Sequence, residues 1–317
     1  MDKRPDNRSD IRDFLASRRA RITPEQAGLP TSGRRRVPGL RREEVAVLAG
    51  VSTEWYTRLE KGHINGVSED VLDAVARALH LDDDERTYLF DLARAGQPPS
   101  RAPRRRKAVD VPPRVQWLLD SMTLSAAFVT NGRLDIIATN ALARATLSPM
   151  FNSDTVDSCG RPNWARYYFL DPGAQHFVVD WDQALTLTAA LLRAEAGRYP
   201  NDKALRELIG ELSTLSTEFR TRWAAHDVRI HHGGVKSFHH PDVGPLELTY
   251  QPLDLPLSTR EAHSLTIYTA QPGSPDEDRL KLLASLAAAT ASPQTQPSPA
   301  PTTDRRNRAA DTTDSPR

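Results

Sequence analysis

Between Ile11 and Ala93, apolar residues recur at the three-and-four spacing of amphipathic helices. Ile11, Phe14 and Leu15 mark one face of a helix over 11–21. Val45, Val47, Leu48 and Ala49 belong to a second over 42–49, and a third runs from Thr53 to about Lys61. Val71, Leu72, Val75, Ala76 and Leu79 mark a fourth, and Tyr88, Leu89, Leu92 and Ala93 a fifth. The polar punctuation agrees with these spans. Gly50 supplies the residue without Cβ that a tight turn needs, and Val51 plugs the space between the helices on either side. Ser52 is placed to cap the third helix by accepting from the backbone N–H of Glu54 or Trp55, and Gly62 stops it. Ser68 precedes Glu69 and Asp70, which suit the positive end of a helix dipole. Asp82 with Glu85 three residues on spells a capping box.

Beyond Pro113 the period changes. Val115, Leu118 and Leu119 predict a short helix. Ala126 to Thr130 and Leu134 to Thr139 read as strands flanking Asn131-Gly132, a strong hairpin signal. Helices are predicted over Asn140–Leu147, Trp164–Leu170, Asp180–Ala196 and Lys203–Trp223. The last carries Leu205, Leu208, Ile209, Leu212, Phe219 and Trp223 on one side. Strands are predicted over Val228–His232, Val235–His239, Leu246–Tyr250 and Ser264–Ala270, and a closing helix over Leu280–Ala288. The fold class expected is two domains, an all-α bundle of five helices followed by an α+β domain with an antiparallel sheet.

Linkers set the boundaries. Residues 96–111 hold Pro98, Pro99 and Pro103, with Arg104 to Lys107, and read as a basic, Pro-rich tether. Residues 292–317 are Pro, Thr, Ser, Arg and Asp with almost no apolar side chains, the composition of a disordered tail. The expected domains are therefore 8–95 and 112–291.

Composition narrows the class. The chain has 317 residues, 38% hydrophobic, with a single cysteine, Cys159, so neither an intramolecular disulfide nor a cysteine-based metal site is expected. No run of 18 apolar residues predicts a membrane span, and the N-terminus lacks the apolar segment of a secretory signal, so a cytoplasmic location is expected. Net charge is only +1, but its distribution is uneven. Arg8 to Arg42 hold ten arginines against three acids, whereas Val111 to Ala291 hold 16 basic and 20 acidic residues. A basic head on a mildly acidic body fits a DNA-binding domain joined to something else.

The helix, glycine corner and capped second helix over Leu40–Gly62 form a helix-turn-helix, the unit that lays its second helix in the DNA major groove. Arg34, Arg35, Arg36, Arg41 and Arg42 are the expected phosphate contacts. Base reading falls to the exposed face at the start of the second helix, with Ser52, Thr53, Glu54, Trp55, Thr57 and Arg58, while Tyr56 and Leu59 face the core. Glu54 suits a cytosine amine, Arg58 guanine or phosphate, and Thr57 a thymine methyl. An ordinary solvated ion pair between Glu54 and Arg58 is the competing expectation.

The stretch GLRREEVAVLAGVS followed by YTRLEKG resembles the Xre-type helix-turn-helix regulators, and more closely the MmyB-type transcriptional regulators of actinobacteria. NDKALRELIGELSTLSTEFRTRWAAHDVR, KSFHHPDVGPLELTY and LTIYTAQPGS carry the same resemblance through the second half. It spans about Ile11 to Ala288 and implies a PAS-like ligand-binding domain behind the DNA-binding one. It further implies that Glu60 makes a structural bond within the first domain. His240-Pro241 with Gly244 would form a turn, with Trp223, His226 and Lys236 around it. The partners expected are double-stranded DNA, an unidentified small apolar ligand (a fatty-acid-like molecule is one candidate) and a second copy of the chain, since one motif reads few base pairs.

The expected ligand lining is Phe128, Ile136, Trp164, Tyr168, Phe169, Leu192, Phe219, Trp223, Leu248 and Ile267, each of which is also ordinary core by composition. His226, His231, His232, His239 and His240 suggest a metal site, but adjacent histidines on a strand point to opposite faces, and no metal or other cofactor is expected. No nucleophile elbow, P-loop, HExxH or GxGxxG fingerprint is present, so no catalytic residue is expected. The alternative function is a DNA-binding repressor whose second domain only mediates dimerisation or protein contact.

Overall fold

A computed structural model describes residues 7–30, 37, 39–64, 66–95, 111–229, 233–257 and 262–291. Arg34, Arg35, Arg36, the basic tether except Val111, His231, His232 and the C-terminal tail lie outside the described residues.

Five helices form the first unit: α1 (Asn7–Arg21), α2 (Arg42–Ala49), α3 (Thr53–Glu60), α4 (Glu69–Ala78) and α5 (Asp83–Ala95). Their apolar faces meet around Phe14, Leu15, Leu40, Val45, Tyr56, Leu59, Val75 and Leu89, all essentially buried. Each such side chain contributes roughly 1.5–3 kcal/mol over its exposed state. On α2 only Val45, Ala46 and Ala49 turn inward, and Val47 and Leu48 are exposed. The capping box at α5 is present: Asp82 N donates to Glu85 (3.2 Å) and Glu85 N to Asp82 (2.9 Å).

The second unit opens with α6 (Pro113–Ser121), β1 (Ala126–Asn131) and β2 (Ile136–Thr139). It continues through α7 (Ala141–Thr146), α8 (Ser148–Phe151), α9 (Trp164–Leu170), α10 (Ala174–Phe177), α11 (Trp181–Arg198), α12 (Lys203–Leu215) and α13 (Thr217–Ala224). It closes with β3 (Gly234–His240), β4 (Gly244–Asp254), β5 (His263–Thr269) and α14 (Pro275–Ala291). The strands pair antiparallel in the order β2-β1-β5-β4-β3, the antiparallel sheet expected of the second domain. β1 is buried along its whole length because both sheet faces are covered there. Phe128, Phe238, Leu246, Leu248 and Tyr268 pack with α7, α9, α10 and α14 on one face. On the other, Ala127, Val129 and Leu265 pack against Val115 and Leu119 of α6. A third cluster joins α9, α11, α12 and α13 through Leu192, Leu205, Leu212 and Phe219.

Three expectations need correction. The turn after β1 is longer than a two-residue Asn-Gly hairpin. The Asn131 side chain accepts from the backbone N–H of Arg133 and Asp135 (both 3.0 Å), Leu134 takes a φ of +66°, and β2 starts only at Ile136. The helix over 203–223 is two helices, because Ser216 leaves helical geometry and its hydroxyl caps α13 at Phe219 N (3.1 Å). Val228 and Arg229 are not in a strand. The His240-Pro241 turn exists, closed by Gly244 at a φ of +76°.

The two units share a packed junction. The ring of Tyr88 of α5 packs against Gly197 of α11, where a Cβ would overlap it. Val228 is buried in the core of the helical unit, and Ala194 packs against the same core. Arg18 donates to His226 O (2.8 Å) and Arg21 to Ala225 O (3.0 Å). Arg21–Asp227 (2.7 Å), Arg198–Asp91 (3.1 Å) and Arg229–Asp82 (2.9 Å) are ion pairs around the rim. These pairs are solvated and contribute little each, so buried apolar contact holds the junction.

Candidate nucleic-acid interface and ligand cavity

The corner between α2 and α3 is built from local chemistry. Gly50 takes the left-handed conformation at φ +68°, and the N–H of Val51 returns to Ala46 O (2.9 Å). The Ser52 hydroxyl accepts from Trp55 N (3.1 Å), so Ser52 caps α3. At the far end Gly62 has φ +90°, and a Cβ there would run into the backbone of Arg8 on α1. Tyr56 and Leu59 are buried, while Ser52, Thr53, Glu54 and Arg58 are exposed and Trp55 and Thr57 half-buried. Six residues expected to meet DNA therefore lie along one solvent-facing stripe. Glu54 and Arg58 are both exposed, and no ion pair joins them in this structure. Around Trp55 and Arg58 the surface recedes into a recess bordered by His63, Gly66 and Ser68.

Glu60 anchors the helix from behind. Its carboxylate is 1% exposed and receives Arg19 Nε (2.9 Å) and Nη2 (2.9 Å), with Arg42 Nε (3.1 Å) and Nη2 (3.0 Å). Burial pushes this carboxyl up, but hydrogen bonds and charge from Arg19, then Arg42, outweigh it and hold it below the usual glutamate range. Arg19 also donates to Leu40 O (2.8 Å), tying α1 to the start of α2. Arg42, expected as a phosphate contact, is thus half committed to Glu60. Its loss would disturb the fold as well as any DNA contact. Arg41 is exposed, and its backbone N–H donates to Glu44 (2.6 Å).

The ten residues expected to line a ligand pocket fall into three places. Phe128, Ile136, Trp164, Tyr168 and Leu248 share the sheet's inner cluster. Leu192, Phe219, Trp223 and Phe169 border the helical cluster, with Phe169 touching both, and Ile267 lies on the opposite sheet face. Seven of them are buried in packed core. Tyr168 and Phe169 border a cavity of about 300 Å³, and Trp223 one of about 170 Å³. A further cavity, of about 450 Å³, is lined by none of the ten. It lies between α11 and the β1, β4 and β5 ends, with Leu134, Leu191, Ala194 and Leu253 as apolar wall and Arg198 and Arg229 on one side.

Lys236 breaks the apolar pattern of the inner sheet face. Its ammonium sits 4.7 Å from the Trp164 ring centre and 5.1 Å from that of Tyr168, and burial pulls its pKa down to about 8. It is therefore not beside Trp223 or His226, as the turn-centred expectation had it. Trp223 stacks on Phe219 (5.4 Å) and under Arg193, and His226 lies at the junction between the units. Among the described residues no group of three potential metal ligands occurs, and no helix is long and apolar enough to cross a membrane.

Two family signatures match this architecture. Residues 11–89 match a helix-turn-helix domain, and residues 111–283 match the MmyB-like transcription regulator ligand binding domain. The chain belongs to the MmyB-like transcription regulators. A search of curated proteins returned no match. Membership makes the helical unit a DNA-binding domain and the α+β unit a ligand-binding domain, neither of them an enzymatic family. In this MmyB-like regulator, α11 serves both units. Its residues Ala194 and Arg198 border the 450 Å³ cavity, while Ala194, Gly197 and Arg198 also meet the DNA-binding domain. The helix itself is predicted over Asp180–Ala196, but its double role is not, since apolar residues signal burial and not the partner they are buried against.

Proposed function

We propose that this protein is a ligand-responsive, sequence-specific transcription regulator acting as a homodimer, with domains at 8–95 and 112–291. Thr53, Glu54, Trp55, Thr57 and Arg58 read base edges, and Ser52 presents them by capping α3. Arg41 and Arg42, with Arg34, Arg35 and Arg36 ahead of them in the sequence, hold phosphates. One observation carries the DNA half: the polar stripe of α3 is open to solvent while its opposite side is locked by Glu60 to Arg19 and Arg42. Binding sites mapped by genomic footprinting, followed by fluorescence anisotropy, provide the test. Arg41→Ala is expected to weaken binding to all sequences alike and to reduce the salt slope by about one. Thr57→Ala is expected to change the preferred sequence. Normal operator binding by both variants would overturn the groove assignment.

The effector, a small molecule with an apolar body, occupies the 450 Å³ cavity under α11, a volume within the usual range for ligand sites. Mass spectrometry of the denatured protein identifies what co-purifies. Leu191→Trp, which fills that cavity, is expected to abolish co-purification, whereas Phe169→Ala is not. The opposite result moves the site to the apolar set around Tyr168 and Phe169. A protein that neither carries nor binds any small molecule would instead be a repressor whose second domain only dimerises.

A further inference from the structure

A second cavity lies at the junction itself, away from the proposed effector site and independent of it. It holds about 170 Å³. Its walls come from both domains: Asp10 of α1 and Tyr88 of α5 on one side, Arg193 of α11, Arg206 and Ile209 of α12 and Trp223 of α13 on the other. The charged groups are not equivalent. Arg193 is already engaged, with Nη2 donating to Trp223 O and the guanidinium 3.9 Å from the centre of the Trp223 ring. Phe219 covers another face of that indole, so Trp223 offers a ligand chiefly its edge.

Asp10 and Arg206 differ from Arg193 in this respect. Asp10 faces the cavity with no hydrogen bond or ion pair among the described residues, and Arg206, exposed at the mouth, has none either. Burial raises the Asp10 carboxyl and the charge of Arg193 pulls it back. A half-desolvated carboxylate and an unengaged guanidinium thus border one small space with an apolar wall at Ile209. An anion would meet Asp10 without a donor to offer it, and a simple cation would meet Arg206. A neutral apolar molecule would leave the partly buried Asp10 carboxylate without a donor, which is costly. A zwitterion satisfies both.

We propose that this junction cavity binds a free α-amino acid with an apolar side chain, its ammonium on Asp10 and its carboxylate on Arg206. The size fits, since a 150 Å³ apolar cavity accommodates benzene and this one is slightly larger. Such a ligand contacts both domains at once and stiffens their docking.

The test uses the full-length protein and isothermal titration with L-valine, L-leucine and L-phenylalanine. Two probes accompany them, 3-methylbutylamine and 4-methylpentanoate, each lacking one of leucine's two charges. At least one amino acid is expected to bind and to raise the melting temperature, with each single-charge probe at least tenfold weaker. Asp10→Asn and Arg206→Gln, each of which alters a side chain that makes no hydrogen bond or ion pair among the described residues, are expected to weaken binding at least tenfold while circular dichroism and DNA binding stay at wild-type levels. The inference is overturned if none of the three amino acids binds. It is equally overturned if a single-charge probe binds as well as leucine, or if both variants bind normally. Any of these results leaves the effector cavity under α11 untouched.

Discussion

Glu60 shows how much the placement of α3 depends on a single buried side chain. Its carboxylate collects four N–H donors from two arginines at the end of α3. Glu60→Gln removes the charge from a buried cluster and leaves Arg19, itself largely buried, without a counter-ion. The expected loss is about 3 kcal/mol, read from denaturant unfolding of the full chain. The pH dependence follows from the depressed carboxyl. Its stabilisation is present above the ordinary glutamate range of about 4.3 and disappears as pH falls through the lower folded value. The Gln variant is expected to lose that acid sensitivity. At this scale the sequence was readable wherever a residue acts on its own neighbours. Gly50, Ser52, Gly62 and the Asp82–Glu85 box have local backbone reasons. The bond from Arg42 to Glu60 was not legible, because its partner lies 18 positions away and no local pattern marks a guanidinium as engaged.

Elements were legible where burial is one-sided. The five helices of the DNA-binding domain and the alternating β4 appear close to their predicted spans. Reading failed where a break is polar and one of several alike, as at Ser216, which stands among Ser213, Thr214 and Thr217 with the apolar period continuing across it. α11 is the harder case. Gly197 looks like a weak point in a helix, yet it is the seat of the Tyr88 ring. Gly197→Leu is expected to overpack that seat at a cost of about 2 kcal/mol and to part the domains before either unfolds. Limited proteolysis should then release two stable fragments from the variant under conditions in which the wild type stays whole. Equal resistance in both would mean that Tyr88 does not hold the junction.

For the whole molecule, the order of the two domains and the helix-turn-helix were legible, but the docking of one domain on the other was not, since it depends on pairs more than 100 positions apart such as Arg229–Asp82. The ligand lining was legible only as apolar residues, because a core and a pocket wall use the same side chains. The junction also contains a titrating group. His226 is held neutral, with burial and the charges of Arg193, Arg18 and Arg21 outweighing Asp13 and lowering its pKa to about 4, and its Nδ1 has no hydrogen-bond partner. A base with a lowered folded pKa contributes fully above its ordinary value of about 6.5 and loses that contribution as pH falls towards 4. Docking is therefore expected to loosen across that window, followed by fluorescence transfer between labels on the two domains. His226→Gln should flatten the response, and an unchanged profile would exclude this histidine as its source.

Val228 has a practical consequence. Because a side chain from the second domain completes the interior of the first, the two are not interchangeable cassettes. Grafting this DNA-binding head onto a foreign sensor, or cutting the chain after Ala95, bares an oily notch that water must then fill. Hybrid regulators built from this protein should carry the 225–229 segment along with the head, as a plug is kept with its socket.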